Sequence, residues 1–151
     1  MTDASDLTLS VSTHIEASPA EVWAVMTGRL EEWWCPRPWR VELVALDWKP
    51  GGRCAMTMHG PAGEVMPNEG VFLEVMPGRR FITTDAFTTG WVPAGPFMVG
   101  IWAIEPDGAG TRYTGAARHW TQDACEQHRA MGFAEGWGTV AAQLKALCEA
   151  D

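Results

Sequence analysis

The chain has 151 residues, of which 46% are hydrophobic and 20% are charged. This is the size and composition of one globular domain, here residues 1–151, and it excludes an intrinsically disordered chain. The formal net charge of -8 opposes binding to a phosphate backbone or an anionic lipid surface, so neither nucleic acid nor a membrane is expected as a partner.

The N-terminal third predicts a strand followed by two short helices. Residues 1–6 are too polar and acidic for a signal peptide, so we expect a cytoplasmic protein. Apolar and polar residues alternate over residues 7–15, which is the period of a strand with one buried face. Ser18 is a helix N-cap residue and Pro19 suits the first helical position, so a helix is predicted over residues 19–26. Residues 29–34 predict a second, shorter helix.

The middle of the chain predicts an antiparallel meander, because short apolar runs alternate with turn signals rich in glycine and proline. With the first strand this gives about seven strands. A loop over residues 88–96 carries Trp91, which is expected to be exposed or to cap a pocket. The predicted strands cover residues 39–48, 53–59, 64–76, 80–87, 97–105 and 111–120.

A long C-terminal helix is predicted from its N-cap, Thr121, to about residue 148. One side forms a core-facing apolar stripe that includes Phe133 and Trp137, at 100° per residue. A second stripe is small and polar and contains Gly132 and Gly136. Because each glycine in a helix interior costs about 1 kcal/mol relative to alanine, the pair suggests space for a ligand or close packing against a neighbouring tryptophan.

Five short motifs occur in order and resemble one protein family. They are ASPAEVW at residues 17–23, PGGR at 50–53, GPAGE at 60–64, GVFLEV at 70–75 and MGFAEGW at 131–137. They resemble the AHSA1-like branch of the START-like (SRPBCC) superfamily, which is related to the C-terminal domain of the activator of Hsp90 ATPase. The resemblance extends over about residues 7–147.

The resemblance implies an α+β helix-grip fold, in which a curved antiparallel sheet wraps around a long C-terminal helix and leaves a hydrophobic ligand cavity. It implies no catalytic residues. The separate Hsp90-binding domain of the eukaryotic co-chaperone has no counterpart in this sequence, so an Hsp90-type chaperone stays an open but weakly supported partner. A homodimer is also open, since exposed tryptophans could support one.

The candidate cavity lining combines inward-facing strand residues with both helix stripes, because side chains of a strand alternate between its two faces. For every methionine or aromatic residue, ordinary core packing is the competing interpretation. The candidates are Trp39, Met56, Met58, Leu73, Phe87, Trp91, Trp102, Tyr113, His119, His128, Gly132, Phe133, Gly136 and Trp137.

The predicted function is binding of a small apolar or amphipathic molecule, with polar groups such as His119, Tyr113 or His128 orienting it. One alternative is a cyclase- or hydrolase-like enzyme that uses His119, Tyr113 and Asp85. Another is a chaperone-related protein-interaction module. No cofactor or metal is expected, because the histidines and the four cysteines lack the spacings of metal sites.

Overall fold

The computed structural model describes residues 7–95 and 97–150. Its strands are β1 (Thr8–Ile15), β2 (Arg40–Leu46), β3 (Arg53–His59), β4 (Val65–Met76), β5 (Arg80–Thr84), β6 (Phe87–Thr88), β7 (Val92–Pro93), β8 (Val99–Asp107) and β9 (Gly110–Arg118). Seven of these strands form one antiparallel sheet in the order β1-β9-β8-β5-β4-β3-β2, so β1 and β2 are its edges. The other two, β6 and β7, form a separate ribbon that begins at the last residue of the predicted strand 80–87 and continues in the predicted loop.

In the described part of the chain, three α-helices accompany the sheet: α1 (Pro19–Gly28), α2 (Gln122–Ala130) and α3 (Phe133–Cys148). The predicted start of α1 is confirmed, because the Ser18 hydroxyl accepts a hydrogen bond from the Glu21 amide at 3.2 Å. The predicted second helix is a single 3-10 turn at Leu30–Glu32. None of the described helices is long and apolar enough to cross a membrane.

The C-terminal helix α3 packs mainly against β1, and its apolar stripe faces the core as predicted. Val140, Ala141 and Leu144 are buried there, while Trp137 is partly buried against the same core. This arrangement of a curved antiparallel sheet around a C-terminal helix confirms the predicted α+β helix-grip fold.

The predicted long helix is divided in two at Gly132. This residue has a φ of +95°, a left-handed conformation that glycine adopts without strain, and it precedes the first residue of α3. Gly132 is therefore a junction between α2 and α3 and does not lie in a helix interior. Glycine is favoured at this position because the backbone is left-handed there, and helical periodicity in the sequence does not reveal such a conformation.

The alternation of β4 is interrupted by a bulge. Its register against β5 shifts between Phe72 and Glu74, so Phe72 and Val75 both pack on the core. The predicted inward set, which included Leu73, is corrected by this extra residue. A second register shift occurs between Leu43 and Ala45 of the edge strand β2. The expectations for residues 1–6 and for Pro96 lie outside the described residues.

Candidate functional site

A cavity of about 530 Å³ lies between the sheet and the C-terminal helices. Strands β3, β4, β5 and β8 form one wall, and α2, α3 and residues 34–36 form the other. Its volume is within the range of about 300–1,000 Å³ that small-molecule sites occupy. The cavity lies between the elements that supplied the candidate lining, the sheet and the C-terminal helices.

Six of the fourteen candidate residues line this cavity. Cys54, which the sequence places on the same face of β3 as two of them, also lines it. Strand alternation brings the β3 residues together, and two consecutive residues of α3 close the opposite wall. The six candidates are Met56, Met58, Trp102, His128, Gly136 and Trp137.

Three indole rings form one continuous apolar surface of the cavity. Trp34 and Trp102 have ring centroids 4.6 Å apart, and Trp102 and Trp137 stack at 5.6 Å with an interplanar angle of 15°. Gly100 permits this arrangement, because a Cβ atom there would lie 2.3 Å from a ring carbon of Trp102. Flat apolar molecules pack well against such a surface.

On the helix side, Gly136 leaves open space in the cavity wall. A Cβ atom built at this position meets no atom within 4 Å. A Cβ atom at Gly138 also meets no atom within 4 Å, but Gly138, two residues after Gly136 on α3, does not line the cavity. Gly136 is therefore not packed closely against Trp33 or Trp34, and the open space beside it belongs to the cavity.

His128 and His119 form a hydrogen-bonded pair at one end of the cavity. His119 Nε2 lies 2.8 Å from His128 Nδ1, and His119 Nδ1 lies 3.1 Å from the Leu7 carbonyl oxygen. Only His128 contributes to the cavity wall. Burial, together with the neighbouring His119, lowers the pKa of His128 to about 4, so its imidazole is neutral at pH 7.

The pKa values of His128 and His14 are expected to lie on opposite sides of the usual value of 6.5. The pKa of His128 is lowered to about 4, whereas the pKa of His14 is raised because its Nδ1 donates a hydrogen bond to the Asp107 carboxylate at 2.8 Å. The measurement is a pH series of imidazole NMR resonances. A His128 midpoint at or above 6.5 contradicts the buried, neutral assignment.

The two pKa shifts change the free energy of unfolding in opposite directions as the pH changes. Unfolded His128 binds a proton below about pH 6.5 and folded His128 only below about pH 4, so its contribution is lost as pH falls through this interval. The contribution of His14 is complete below its unfolded pKa and is lost as pH rises through its raised, folded pKa.

The two carboxylates of the wall both accept hydrogen bonds from protein groups. Asp85 Oδ1 accepts hydrogen bonds from the amides of Phe97 and Met98 at 2.7 and 3.2 Å. Both carboxylate oxygens of Glu69 lie 2.9 Å from the Arg53 guanidinium. Asp85 therefore anchors the segment that carries Phe97 at the edge of the cavity.

The two cysteines of the wall are poor nucleophiles. Burial raises the pKa of Cys35, and burial followed by the charge of Glu69 raises the pKa of Cys54 to about 12. Both thiols stay protonated at neutral pH, whereas the thiolate is the reactive form. Within residues 7–95 and 97–150, no group of three His, Cys, Asp or Glu side chains is arranged to hold a metal ion.

Four candidates lie behind or beside the wall instead of in it. Tyr113 is fully buried in the core, where it packs edge-on against Trp33 with ring centroids 6.3 Å apart. His119 supports His128 from behind, and Phe133 packs on His128 at 5.1 Å. Gly132 forms the helix junction. The suggested set of His119, Tyr113 and Asp85 is thus not assembled, since only Asp85 borders the cavity.

Four further candidates lie outside the cavity. Leu73 is displaced from the core side by the bulge in β4. Phe87 and Trp91 pack edge-on against each other at 5.8 Å in the small ribbon, and Trp91 is exposed. Trp39 borders a different depression together with charged residues. Leu73 was predicted from strand alternation, which the bulge interrupts, and the other three are aromatic residues whose size does not determine where a strand end or loop places them.

Sequence reasoning missed the exposed apolar rim of the cavity. Met66, Phe97 and Met131 line the cavity and are also exposed to solvent, Met131 by 73%. They come from β4, from the segment before β8 and from the α2–α3 junction. Apart from the abundance of methionine, no sequence pattern indicates this rim, because the three residues meet only in the folded chain.

Comparison with known proteins identifies relatives over almost the entire chain. A model of the family described as Activator of Hsp90 ATPase homolog 1-like protein matches residues 16–149. The crystal structure of protein NE0264 from Nitrosomonas europaea is 36% identical, with a TM-score of 0.91, and the match covers 99% of this chain and 97% of that one. No protein of curated function matches significantly.

Two further structures extend the likeness. Protein Ms6760 from Mycobacterium smegmatis is 25% identical, with a TM-score of 0.79 over 100% of this chain and 96% of its own. An AHSA1 protein from Silicibacter pomeroyi is 19% identical, with a TM-score of 0.69 over 92% and 95% of the two chains. At 19% identity, the likeness to the Silicibacter pomeroyi protein is one of fold alone.

Proposed function

Because the chain belongs to the Activator of Hsp90 ATPase homolog 1-like family of the START-like superfamily, we propose that it binds a small apolar or amphipathic molecule in the cavity. The family and the fold support a ligand-binding domain in general. The observation that carries the specific proposal is the cavity of about 530 Å³, whose wall contains three tryptophans and five methionines. Flexible thioethers beside rigid indoles adapt to a ligand while still enclosing it.

The driving force for this binding is removal of apolar surface from water. A ligand that buries about 300 Å² of apolar surface gains about 7 kcal/mol at 25 cal/mol per Å². Loss of translational and rotational freedom offsets at least about 4 kcal/mol of that gain. Reversible binding of weak to moderate affinity follows, and polar contacts then decide which molecules bind best.

A matched pair of substitutions on α3 tests the proposal. Gly136→Leu places a side chain in the cavity, whereas Gly138→Leu adds the same side chain to the same helix outside it. Both changes remove a helix-interior glycine, which favours the folded helix. We expect Gly136→Leu to weaken binding of the neutral dye N-phenyl-1-naphthylamine by about tenfold or more, which corresponds to about 1.4 kcal/mol.

The control variant, Gly138→Leu, is expected to bind the dye as the wild-type protein does. Fluorescence titration measures both affinities, and circular dichroism verifies that both variants are folded. Equal dye binding by the two variants contradicts a ligand site at Gly136 and favours a protein-interaction role for the exposed rim of Met66, Phe97 and Met131.

Compartment and partners are proposals of the same kind. Four cysteines without disulfides within the described residues support a reducing compartment, and we therefore propose a cytoplasmic location. The negative net charge supports the absence of nucleic-acid and membrane partners. A homodimer and an Hsp90-type chaperone stay predictions.

A further inference from the structure

Hydrogen bonding fixes the proton positions of the two buried histidines, beginning at the backbone. A carbonyl oxygen only accepts, so His119 Nδ1, 3.1 Å from the Leu7 oxygen, carries a proton. With its proton on Nδ1, the His119 ring accepts at Nε2, and His128 Nδ1, 2.8 Å away, donates to it. Because a neutral imidazole holds one proton, the Nε2 atom of His128 keeps a free lone pair.

This lone pair belongs to a side chain of the cavity wall. His128 is 7% exposed and belongs to the cavity wall, yet its Nε2 atom makes no hydrogen bond to residues 7–95 or 97–150. Every fully enclosed side-chain nitrogen or oxygen in the described part of the chain has a partner. The Nε2 atom is therefore not enclosed by protein, and it is an acceptor without a donor.

Three aromatic rings surround the imidazole of His128. The rings of Phe97, Phe133 and Trp137 lie at centroid distances of 4.7, 5.1 and 6.3 Å from its imidazole. An acceptor in such surroundings is poorly hydrated, so a ligand that supplies a donor gains more from the contact than it would in water. A ligand without a donor leaves the lone pair unsatisfied.

The charges around the cavity disfavour anions. No lysine or arginine of the described residues lines the wall, whereas two carboxylates, Asp85 and Glu69, do. Arg53 pairs with Glu69, but Asp85 accepts only from backbone amides. A bound carboxylate would lose its hydration near a like charge and find no cation in the wall.

From these contacts we propose that the cavity selects flat, neutral, donor-bearing molecules, such as aromatic alcohols, and that His128 Nε2 accepts the hydrogen bond of their hydroxyl group. The surface formed by Trp34, Trp102 and Trp137 holds the aromatic part. This inference rests on the proposed function and specifies its ligand class. His119 is a positioning residue, because it orients the His128 ring without touching the ligand.

Three naphthalenes of nearly equal size test the inference at pH 7 by calorimetry. The compounds are 2-naphthol, which has a donor; 2-methoxynaphthalene, which has none; and 2-naphthoate, which is an anion. We expect naphthol to bind wild-type protein about fivefold or more tightly than methoxynaphthalene, because the donor pairs the His128 lone pair. We expect naphthoate to bind most weakly. Equal affinities for naphthol and methoxynaphthalene, or tightest binding of naphthoate, overturn the assignment.

Substitution of His128 separates the hydrogen bond from the apolar contacts. In His128→Phe, naphthol affinity is expected to fall to that of methoxynaphthalene, while the latter changes little. His59→Phe is the control, since His59 lies outside the cavity wall, and it is expected to keep the preference. A preference that persists in His128→Phe overturns the inference.

A measurement on the wild-type protein does not depend on the folding of a variant. The ¹⁵N resonance of His128 Nε2 is expected to shift when naphthol is added and to shift much less with methoxynaphthalene. Equal shifts overturn the inference. If none of the three naphthalenes binds, the proposed function itself fails, so this failure is distinguishable from loss of selectivity alone.

Discussion

Phe81→Ala is expected to lower the free energy of unfolding by about 3–5 kcal/mol, the range for truncation of a buried phenylalanine. Phe81 is 1% exposed and lies at the centre of the aromatic core. Its ring stacks on Trp102 at 5.1 Å and meets Trp48 edge-on at 5.0 Å. Neighbouring rings are too rigid to fill the space, so a cavity remains. Urea unfolding measured by circular dichroism gives the change.

The same substitution at Phe87 is the matched control. Phe87 is half-buried in the small ribbon, and its ring contacts that of Trp91. Because solvent reaches this site, Phe87→Ala should lower the free energy of unfolding by about 1 kcal/mol or less. Equal losses for the two variants would show that the ring contacts of Phe81 add nothing to stability.

Gly52→Ala is expected to lower the free energy of unfolding by about 3 kcal/mol or more, because the new methyl group has no space. Its Cβ atom would lie 2.0 Å from the Asp47 carbonyl oxygen and 2.9 Å from that of Lys49. Both are backbone atoms of the turn between β2 and β3. The Gly52 amide donates a hydrogen bond to the Lys49 carbonyl oxygen at 2.8 Å. The turn therefore cannot open to make room for the methyl group without losing this bond.

Gly28→Ala is the control for this effect. A Cβ atom at Gly28 meets nothing within 4 Å, and the residue is exposed at the end of α1. Its free energy of unfolding should lie within about 1 kcal/mol of the wild-type value. Thermal and urea unfolding of both variants measure the difference. A Gly52→Ala protein as stable as Gly28→Ala contradicts the clash.

Local patterns in the sequence predict the parts of the fold and site that depend on one element at a time. Alternation along β3 places Met56 and Met58 on the cavity side, and helical periodicity places Trp137 toward the sheet. The Ser18 cap marks the start of α1 correctly. In the strand and in the helix, the spacing of residues determines which side chains face the interior.

Other features depend on events that periodicity does not encode. One extra residue in β4 changes which side chains face the core, so Leu73 is excluded. The positive φ of Gly132 ends α2 where a helical pattern continues. Likewise, the prediction places His119 on a strand and His128 on a helix stripe, but their direct hydrogen bond depends on how α2 docks beside the residue that follows β9.

The register shift in β2 limits unwanted association of the protein. An outer strand presents free N–H and C=O groups with which another chain can extend the sheet, and such growth leads to aggregates. The shift between Leu43 and Ala45 breaks the regular spacing of those groups on a strand of only seven residues. Strand-by-strand polymerisation at this border is thereby disfavoured, even though Leu43 and Val44 present apolar surface there.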